Sequence, residues 1–197
     1  MRLLRLPLPA VLGAAALVAG VTGQAFATTV GGTPAPSCVV KARPASASTL
    51  PTPPAPPRCF DDLAGAVAYA TGGLVHIAPT VNTVTQNQLD GGTRGARARG
   101  ADGSDSGTII GIEYQDSGYS GASRVYEVNA TPCSDGGNYS EPDLRGDSFD
   151  DSISSARAYA GCQATHYQYA QYTGSLQACT CSSMGYMDDR TTSIYWN

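Results

Sequence analysis

Two hexapeptides near the carboxyl end of the chain place acidic and hydroxyl side chains in the same order. The first is DDSISS, residues 150–155, and the second is DDRTTS, residues 188–193. Calcium prefers six to eight hard oxygen ligands, and carboxylates, hydroxyls and turn carbonyls all supply them. Acids and hydroxyls also cap turns without any ion. What precedes each hexapeptide helps to separate the two interpretations.

A second pattern precedes both hexapeptides and is repeated with them. YQDSGYSG at 114–121 matches YQYAQYTG at 167–174 with a constant offset of 53 residues. The offset between the hexapeptides is only 38, so the first copy holds 15 extra residues, which we place within 133–147. Such a repeat predicts two copies of one supersecondary unit. Short alternating runs rich in β-branched and aromatic residues, such as TIIGIEY and TSIYW, predict an all-β domain over 107–197.

The aromatic–x4–aromatic–x–glycine pattern, followed by a D/N-D/N-x-x-S/T-S hexapeptide, resembles the βγ-crystallin domain. The resemblance covers residues 107–197. It implies an all-β sandwich of two Greek-key motifs. It also implies that Gly121 and Gly174 adopt a backbone conformation that other residues avoid, and that Tyr119 and Tyr172 pack over folded hairpins.

In microbial members of this family the hexapeptide forms half of a calcium site, so the resemblance implies two Ca²⁺ sites. The third residue of each hexapeptide would supply its main-chain carbonyl and the fifth its hydroxyl. The residue after the first hairpin tyrosine would add a carbonyl. One of the two leading acids would cross to the site of the other motif, and the resemblance leaves open which one. The implied ligands are Gln115, Ser152 and Ser154 in the first motif, Gln168, Arg190 and Thr192 in the second, and the acids Asp150, Asp151, Asp188 and Asp189.

Three sequence features qualify this interpretation. Gln115 and Gln168 stand where family hairpins often carry an acid, a change that a carbonyl ligand tolerates. Arg190 places a positive charge beside its own site, which lowers the affinity expected there. Residues 102–113 fit a degenerate EF-hand loop, but serines replace expected acids, and residues 109–114 are needed for the first strand.

The first half of the chain divides by composition into three segments. Residues 1–27, with a basic start, an apolar run and a small-x-small end, predict a cleaved signal peptide. Residues 28–58, rich in Pro, Ala and Ser, predict a disordered linker. Residues 59–106 predict one short helix that ends at Gly72-Gly73, then a strand at 74–78 and a Gly-rich loop.

The charge and cysteine content limit the compartment and the partners. The predicted signal peptide contains two of the 12 basic residues and none of the 16 acidic ones, so the mature chain would carry a net charge of −6. This charge disfavours nucleic acid and anionic membranes as partners and suits calcium ions. We expect a secreted, extracellular monomer that has no membrane contact after signal cleavage.

Six cysteines in an exported chain predict disulfides. Reflection of the second hairpin about its centre, near residues 170–171, favours Cys162–Cys179, which leaves Cys133 for Cys181. Cys38 and Cys59 would then tie the linker down or pair together.

The sequence therefore predicts a secreted calcium-binding structural module. The alternative is a secreted protease inhibitor or killer-toxin-like protein, because actinomycete metalloproteinase inhibitors and killer-toxin-like proteins resemble the same fold. In that case the acidic segment 133–147 would face an extracellular protease. We expect no enzyme, since GxSxG, HExxH and a Cys–His nucleophile are missing from the sequence. His166 is interpreted as a surface or packing residue.

Overall fold

The computed structural model describes residues 35–45, 56–91 and 106–197. The strands in these ranges form two five-stranded sheets, with the orders β3-β1-β5-β4-β7 and β2-β6-β10-β8-β9. The elements are β1 (Ser37–Lys41), β2 (Arg43–Pro44), β3 (Arg58–Phe60), α1 (Leu63–Ala70), β4 (Thr108–Asp116), β5 (Ser120–Val128), β6 (Tyr139–Glu141), β7 (Ser155–Ala158), β8 (Ala164–Tyr169), β9 (Thr173–Ala178) and β10 (Ser193–Trp196), with short 3-10 helices at Cys133–Asp135 and Gly185–Met187.

Each copy of the sequence repeat forms an antiparallel hairpin, β4/β5 in the first sheet and β8/β9 in the second. The next strand of the first copy, β6, crosses over and pairs with β10 in the second sheet. The matching segment of the second copy crosses the other way, where Cys181 bridges Ala156 of β7. This exchange is the Greek-key connection. The predicted sandwich of two Greek keys is therefore confirmed.

The space between the sheets is filled by large apolar side chains. Trp196 of β10 and Tyr126 of β5 are fully buried, and their ring centroids lie 4.6 Å apart. Ile110 and Ile194 come from opposite sheets and join the same cluster. Because strands alternate their side chains between two faces, the same strands also project apolar residues outward.

The folded hairpins have the geometry implied by the resemblance. Tyr119 and Tyr172 have φ angles of 63° and 59°, and Gly121 and Gly174 follow at 75° and 81°. The rings of Tyr114 and Tyr119 meet edge to face with centroids 5.7 Å apart, and the second hairpin repeats the contact. The positive φ of Gly121 strains any residue with a Cβ, and a Cβ there would also lie 3.2 Å from the Asp116 backbone nitrogen, so this position favours glycine.

The predicted helix is confirmed, and it covers the outer face of the first sheet. Asp62 caps its start by accepting a 2.8 Å hydrogen bond from the Gly65 N–H. Val67, which is fully buried, packs in one cluster with residues of β4 and β5 such as Ile112 and Val125. The first sheet is thus buried on both faces, by the second sheet and by the helix.

The strand predicted at 74–78 is wrong. These residues form turns and irregular backbone. The N–H of Val75 donates a hydrogen bond to the Thr71 hydroxyl at the helix end. This N–H is therefore not available to pair with a neighbouring strand.

Part of the predicted linker is also regular structure. Residues 37–41 form β1, which pairs in parallel with β5 from Ser37↔Ser123 to Lys41↔Glu127, and β2 lies beside β6. Val39 and Val40 explain this, since they point to opposite faces of the strand and bury in the two separate clusters. Residues 28–34 and 46–55 of the predicted linker lie outside the described residues.

The disulfides are Cys38–Cys59, Cys133–Cys162 and Cys179–Cys181. The pairing of Cys38 with Cys59 was one of the two options expected, but the predicted Cys162–Cys179 and Cys133–Cys181 pairs are wrong. The second hairpin pairs Thr165 with Ala178, so its centre lies one residue further along than assumed. Cys162 therefore misses Cys179 and lies beside the 3-10 helix that begins at Cys133, where the Ser134 N–H bonds the Ala160 carbonyl at 3.0 Å.

No helix in the three described ranges is long and apolar enough to cross a membrane. The predicted signal peptide at 1–27 and residues 92–105 of the predicted Gly-rich loop lie outside those ranges. Residues 108–113 of the EF-hand-like stretch belong to β4, as the sequence argument expected.

Candidate functional site

The two hexapeptides lie against each other and obey the approximate twofold symmetry of the repeat. The Asp151 N–H donates to the Thr191 carbonyl at 3.1 Å, and the Asp189 N–H donates to the Ile153 carbonyl at 3.2 Å. Both aspartates adopt left-handed backbone conformations, with φ of 48° and 51°. Aspartate tolerates this region better than most residues, which explains its place in both copies.

The sixth residue of each hexapeptide stabilises the folded hairpin of its own motif through two hydrogen bonds. The Ser155 hydroxyl donates to the Asp116 carbonyl at 2.6 Å and accepts from the Tyr119 N–H at 3.0 Å. Ser193 makes the same two bonds in the second hairpin, at 2.7 and 3.1 Å. These two serines are not among the ligands that the resemblance implies. Their identity at the sixth position of both copies was the available signal.

The fifth residue of each hexapeptide meets an acid of the other motif. The Ser154 hydroxyl donates to Asp189 Oδ1 at 3.1 Å, and Thr192 Oγ1 lies 3.4 Å from Asp151 Oδ1. Both hydroxyl residues are buried, whereas the two aspartates are exposed. The structure thus contains the crossed arrangement of carboxylate and hydroxyl that the resemblance implies.

The other expected ligands flank these crossed pairs. The Ser154 N–H bonds the Tyr114 carbonyl at 2.9 Å, which places the hexapeptide beside the next residue, Gln115. Gln115 and Ser152 both donate side-chain hydrogen bonds to the Ser148 carbonyl, each at 2.9 Å. In the second motif the Thr192 N–H bonds the Tyr167 carbonyl in the same way.

These contacts divide the expected ligands into two candidate sets, one for each site that the resemblance implies. The first set is Gln115, Ser152, Ser154 and Asp189, and the second set is Gln168, Arg190, Thr192 and Asp151.

The leading acid of each hexapeptide has a different environment. Asp188 is exposed. Asp150 is half-buried, and its Oδ1 atom is buried without a hydrogen-bond partner among the described residues. Of each acidic pair, Asp151 and Asp189 are therefore the members that face the hydroxyls.

A surface cavity of about 320 Å³ opens beside the second set. All four members of that set line it, together with Asp150, Asp189 and Arg145. Arg145 comes from the extra residues of the first copy, and its Nε and Nη2 atoms bond the two carboxylate oxygens of Asp143 at 2.8 and 2.6 Å. These bonds from Arg145 lower the pKa of Asp143 below its ordinary value.

The donor chemistry of both sets fits a hard cation. Each set offers one carboxylate, one hydroxyl and candidate main-chain carbonyls, which are the oxygen ligands that calcium accepts. In the described ranges no group of three or more His, Cys, Asp or Glu side chains could hold a metal ion. A cation at either set would therefore need hydroxyl and carbonyl oxygens in addition to the single carboxylate. The buried, unpartnered Asp150 oxygen beside the second set is a further acceptor without a donor.

A buried polar pair joins the two sheets away from this site. Glu113 Oε2 and His166 Nε2 lie 2.9 Å apart, and both side chains are fully buried. The two residues occupy equivalent places in β4 and β8, since they differ by the repeat offset of 53. His166 is therefore a packing residue, and the same offset was the signal that links it to Glu113.

No protein family model matches this chain, and none of the curated proteins matches it. Among solved structures the chain is similar to a βγ-crystallin domain from Clostridium beijerinckii, with 23% identity, 44% of this chain and 95% of that chain covered, and a TM-score of 0.34. It is also similar to a βγ-crystallin from an archaeon (24% identity, 44% and 95% covered, TM-score 0.33) and to one from Ciona intestinalis (20% identity, 43% and 94% covered, TM-score 0.32). The fold assignment rests on the strand topology of the chain itself.

Proposed function

We propose that the chain is a secreted structural module of the βγ-crystallin type that binds two calcium ions and is stabilised by them. The observation that carries the proposal is the pair of crossed contacts, Ser154 to Asp189 and Thr192 to Asp151. Each contact joins an acid of one Greek key to a hydroxyl of the other. Three disulfides in a small chain are consistent with an extracellular location.

The residues of each set would hold the two motifs together around a bound ion. A bound calcium ion supplies the positive charge that holds carboxylate, hydroxyl and carbonyl oxygens together. Asp151 and Asp189 carry the charge, and their left-handed backbone turns each carboxylate toward the other motif. Ser155 and Ser193 keep the hairpins folded through hydrogen bonds that need no ion. The protein should therefore fold without calcium and gain stability with it.

The size of the gain follows from mass action. A ligand at a hundredfold excess over its dissociation constant stabilises the folded state by about 2.7 kcal/mol. For a folded unit of this size, about 1 kcal/mol shifts the melting midpoint by roughly 2–4 °C. Calcium should therefore raise the midpoint by about 5–11 °C per site at that excess. Magnesium should do much less, because it demands a tighter octahedral arrangement.

Thermal unfolding in calcium, in magnesium and in chelator tests this proposal. The double variant Asp151→Ala/Asp189→Ala should lose the calcium shift, and its midpoint in chelator should be lower than that of the unmodified protein, because alanine is strained in the left-handed backbone of both positions. The double variant Asp61→Ala/Asp135→Ala is the matched control. It removes the same charge from two exposed positions outside both sets and should retain most of the shift. Equal midpoints of the unmodified protein in millimolar calcium and in chelator would refute calcium binding.

The inhibitor or toxin function remains the alternative proposal, and no contact favours it. The segment 133–147, which would face a protease, contributes strand β6 to the second sheet and buries Tyr139 and Leu144. Only parts of it, such as residues 134–136, are exposed. Incubation with metalloproteinases and serine proteases, with residual protease activity as the readout, distinguishes this alternative from the structural function.

A further inference from the structure

A second surface cavity, of about 610 Å³, shares no lining residue with either ligand set. Its size falls within the range of about 300–1,000 Å³ that is typical of small-molecule sites. The lining comes from the loop between β5 and β6, from the end of β2 and from Tyr195 of β10. This loop includes the beginning of segment 133–147, where the sequence places the extra residues of the first copy. The cavity is thus built in part by residues that the repeat does not explain.

The loop that lines this cavity is held in place by covalent and hydrogen bonds. A disulfide anchors Cys133, in the middle of the loop. The hydroxyl of the buried Tyr139 donates to the Thr131 carbonyl. The Ala45 N–H donates to the Asn138 carbonyl at 2.9 Å, which joins the loop to the end of β2. Because these bonds form without a ligand, binding would cost little further ordering of the loop.

The polar groups of the loop suit a ligand that bears several hydroxyls. Asp135 is exposed and lines the cavity, and no ion pair between described residues includes it. Asn138 donates its side-chain N–H to the Gly136 carbonyl at 3.2 Å, which leaves its amide oxygen as a second acceptor. A carboxylate accepts more than one hydrogen bond, so Asp135 can bind two neighbouring hydroxyls. The lining residues that the structure describes include no arginine or lysine, which disfavours an anionic ligand.

Tyr195 adds an apolar surface to these acceptors. Its side chain is half-buried and lines the cavity. The ring meets that of Tyr172 edge to face, with centroids 5.9 Å apart, so at least one face of Tyr195 is free of that contact. The C–H groups on one side of a sugar ring can pack on an aromatic face, while the hydroxyls around the ring need fixed polar partners. An aromatic ring beside a carboxylate and an amide supplies both.

We propose that this cavity binds a neutral saccharide. Tyr195 stacks on the sugar ring, and Asp135 and Asn138 accept hydrogen bonds from its hydroxyls. The extra residues of the first copy then serve recognition, whereas the paired hexapeptides serve stability. This inference does not depend on calcium binding, because the cavity and the two ligand sets have no residue in common.

The test measures how far insoluble cellulose, chitin, β-1,3-glucan and mannan deplete the full-length protein from solution. The soluble tetrasaccharide of each polymer serves as the competitor and as the probe in ligand-observed NMR. We expect at least one polymer to bind and its tetrasaccharide to release the protein. Asp135→Asn and Tyr195→Ala should each weaken this binding by about tenfold or more, since each removes one of the two kinds of contact. Tyr195→Phe keeps the ring and should change the affinity by less than about twofold.

Two variants control for charge and for exposed aromatic surface. Asp61→Asn removes an exposed acid outside the cavity, and Tyr186→Ala removes a tyrosine that is 61% exposed and also lies outside it. Both should bind the polymer as the unmodified protein does. The melting midpoint of each variant shows whether it folds, and Asp135→Asn should keep its midpoint because the side chain is exposed. Binding should be equal in calcium and in chelator, and 0.5 M salt should leave it unchanged because no ion pair forms.

Three results would overturn the inference. The first is that none of the four polymers or their tetrasaccharides binds. The second is that Tyr186→Ala weakens binding as much as Tyr195→Ala, or that Tyr195→Phe weakens it as much, because the ring of Tyr195 would then not be the contact. The third is that 0.5 M salt abolishes binding, which would indicate a cationic ligand held by the Asp135 charge. A protein that binds saccharide but shows no calcium shift would refute the proposed function and leave this inference standing.

Discussion

The contact between α1 and the first sheet predicts that the two halves of the described chain unfold together. Val67 of α1 is fully buried in the cluster that contains Ile112, Tyr114 and Val125. Val67→Ala removes two methyl groups, which costs about 1.6 kcal/mol in transfer free energy and more if a cavity remains. We expect a loss of about 2 kcal/mol, and thus a fall in the melting midpoint of roughly 4–8 °C.

Trp196 provides an independent fluorescence signal for this prediction, because it packs on the opposite face of the first sheet from α1. It is the only tryptophan, it is fully buried, and it lies in the cluster between the sheets. In a cooperative unit, its fluorescence transition should move by the same amount as the helical circular dichroism signal. Val81→Ala is the matched control, since Val81 is only half-buried and should cost less than about 1 kcal/mol.

The opposite result would show where the boundary of the folded domain lies. If Val67→Ala shifts the helical signal and leaves the Trp196 transition where it was, residues 107–197 fold by themselves. The domain boundary predicted from the sequence at residue 107 would then also be a folding boundary.

Four further predictions concern the hairpins, the disulfides and pH. Gly121→Ala or Gly174→Ala should cost at least about 1–2 kcal/mol in denaturant unfolding, because both glycines have φ near 80° and a Cβ would strike a neighbour at 2.6 Å; equal stability would refute the argument. Ser155→Ala and Ser193→Ala should each cost about 1–3 kcal/mol in chelator, since each removes two part-buried hydrogen bonds that contribute about 0.5–1.5 kcal/mol apiece; an effect seen only in calcium would contradict an ion-independent role. Removal of the Cys133–Cys162 disulfide, whose cysteines are 29 residues apart, should lower the free energy of unfolding by about 3.5 kcal/mol. Removal of Cys179–Cys181, whose cysteines are 2 residues apart, should lower it by about half as much. A larger loss from the second disulfide than from the first in chemical unfolding would exclude loop closure as the cause. Burial raises the pKa of Glu141 above 4.5, so the folded state binds this proton more tightly than the unfolded state, and the free energy of unfolding should fall as pH rises from about 4.5 through the folded-state pKa. Glu141→Gln should reduce this dependence of stability on pH in chelator. An unchanged dependence would show that other groups cause it.

The fold of the second half could be predicted from sequence because each signal is local and is present twice. The spacing of Tyr114, Tyr119 and Gly121 defines a hairpin within eight residues, and its copy confirms the interpretation. The crossing acids could not be selected in this way. Asp150 and Asp151 are equivalent in composition, and only the left-handed turn at the second acid directs that carboxylate to the hydroxyl of the other motif.

Two of the errors, the linker assigned to residues 37–41 and the missed Cys133–Cys162 pair, have one physical cause, which is that contacts distant in sequence override local composition. The run SCVVK lies among prolines and alanines, and nothing near it in sequence indicates a partner strand. Its partners are β3, which lies 21 residues later at Cys38↔Cys59, and β5, which lies more than 80 residues later. Cys133–Cys162 likewise depends on a contact between a 3-10 helix and the turn at Gly161. Only the tertiary fold creates such contacts.

The hexapeptide thus combines two functions that depend on different positions. The sixth residue holds the hairpin through Ser155 or Ser193, both of which are fully buried and independent of any ion. The second and fifth residues face each other across the motifs, and the second residue stays exposed where an ion can reach it. Because the hydrogen bonds that hold the hairpins and the proposed ion ligands involve separate atoms, we expect the fold to persist without calcium and its stability to rise with calcium. The third residue is fixed by neither function as long as its carbonyl is presented. A serine in one copy and an arginine in the other can therefore occupy this position on the same backbone.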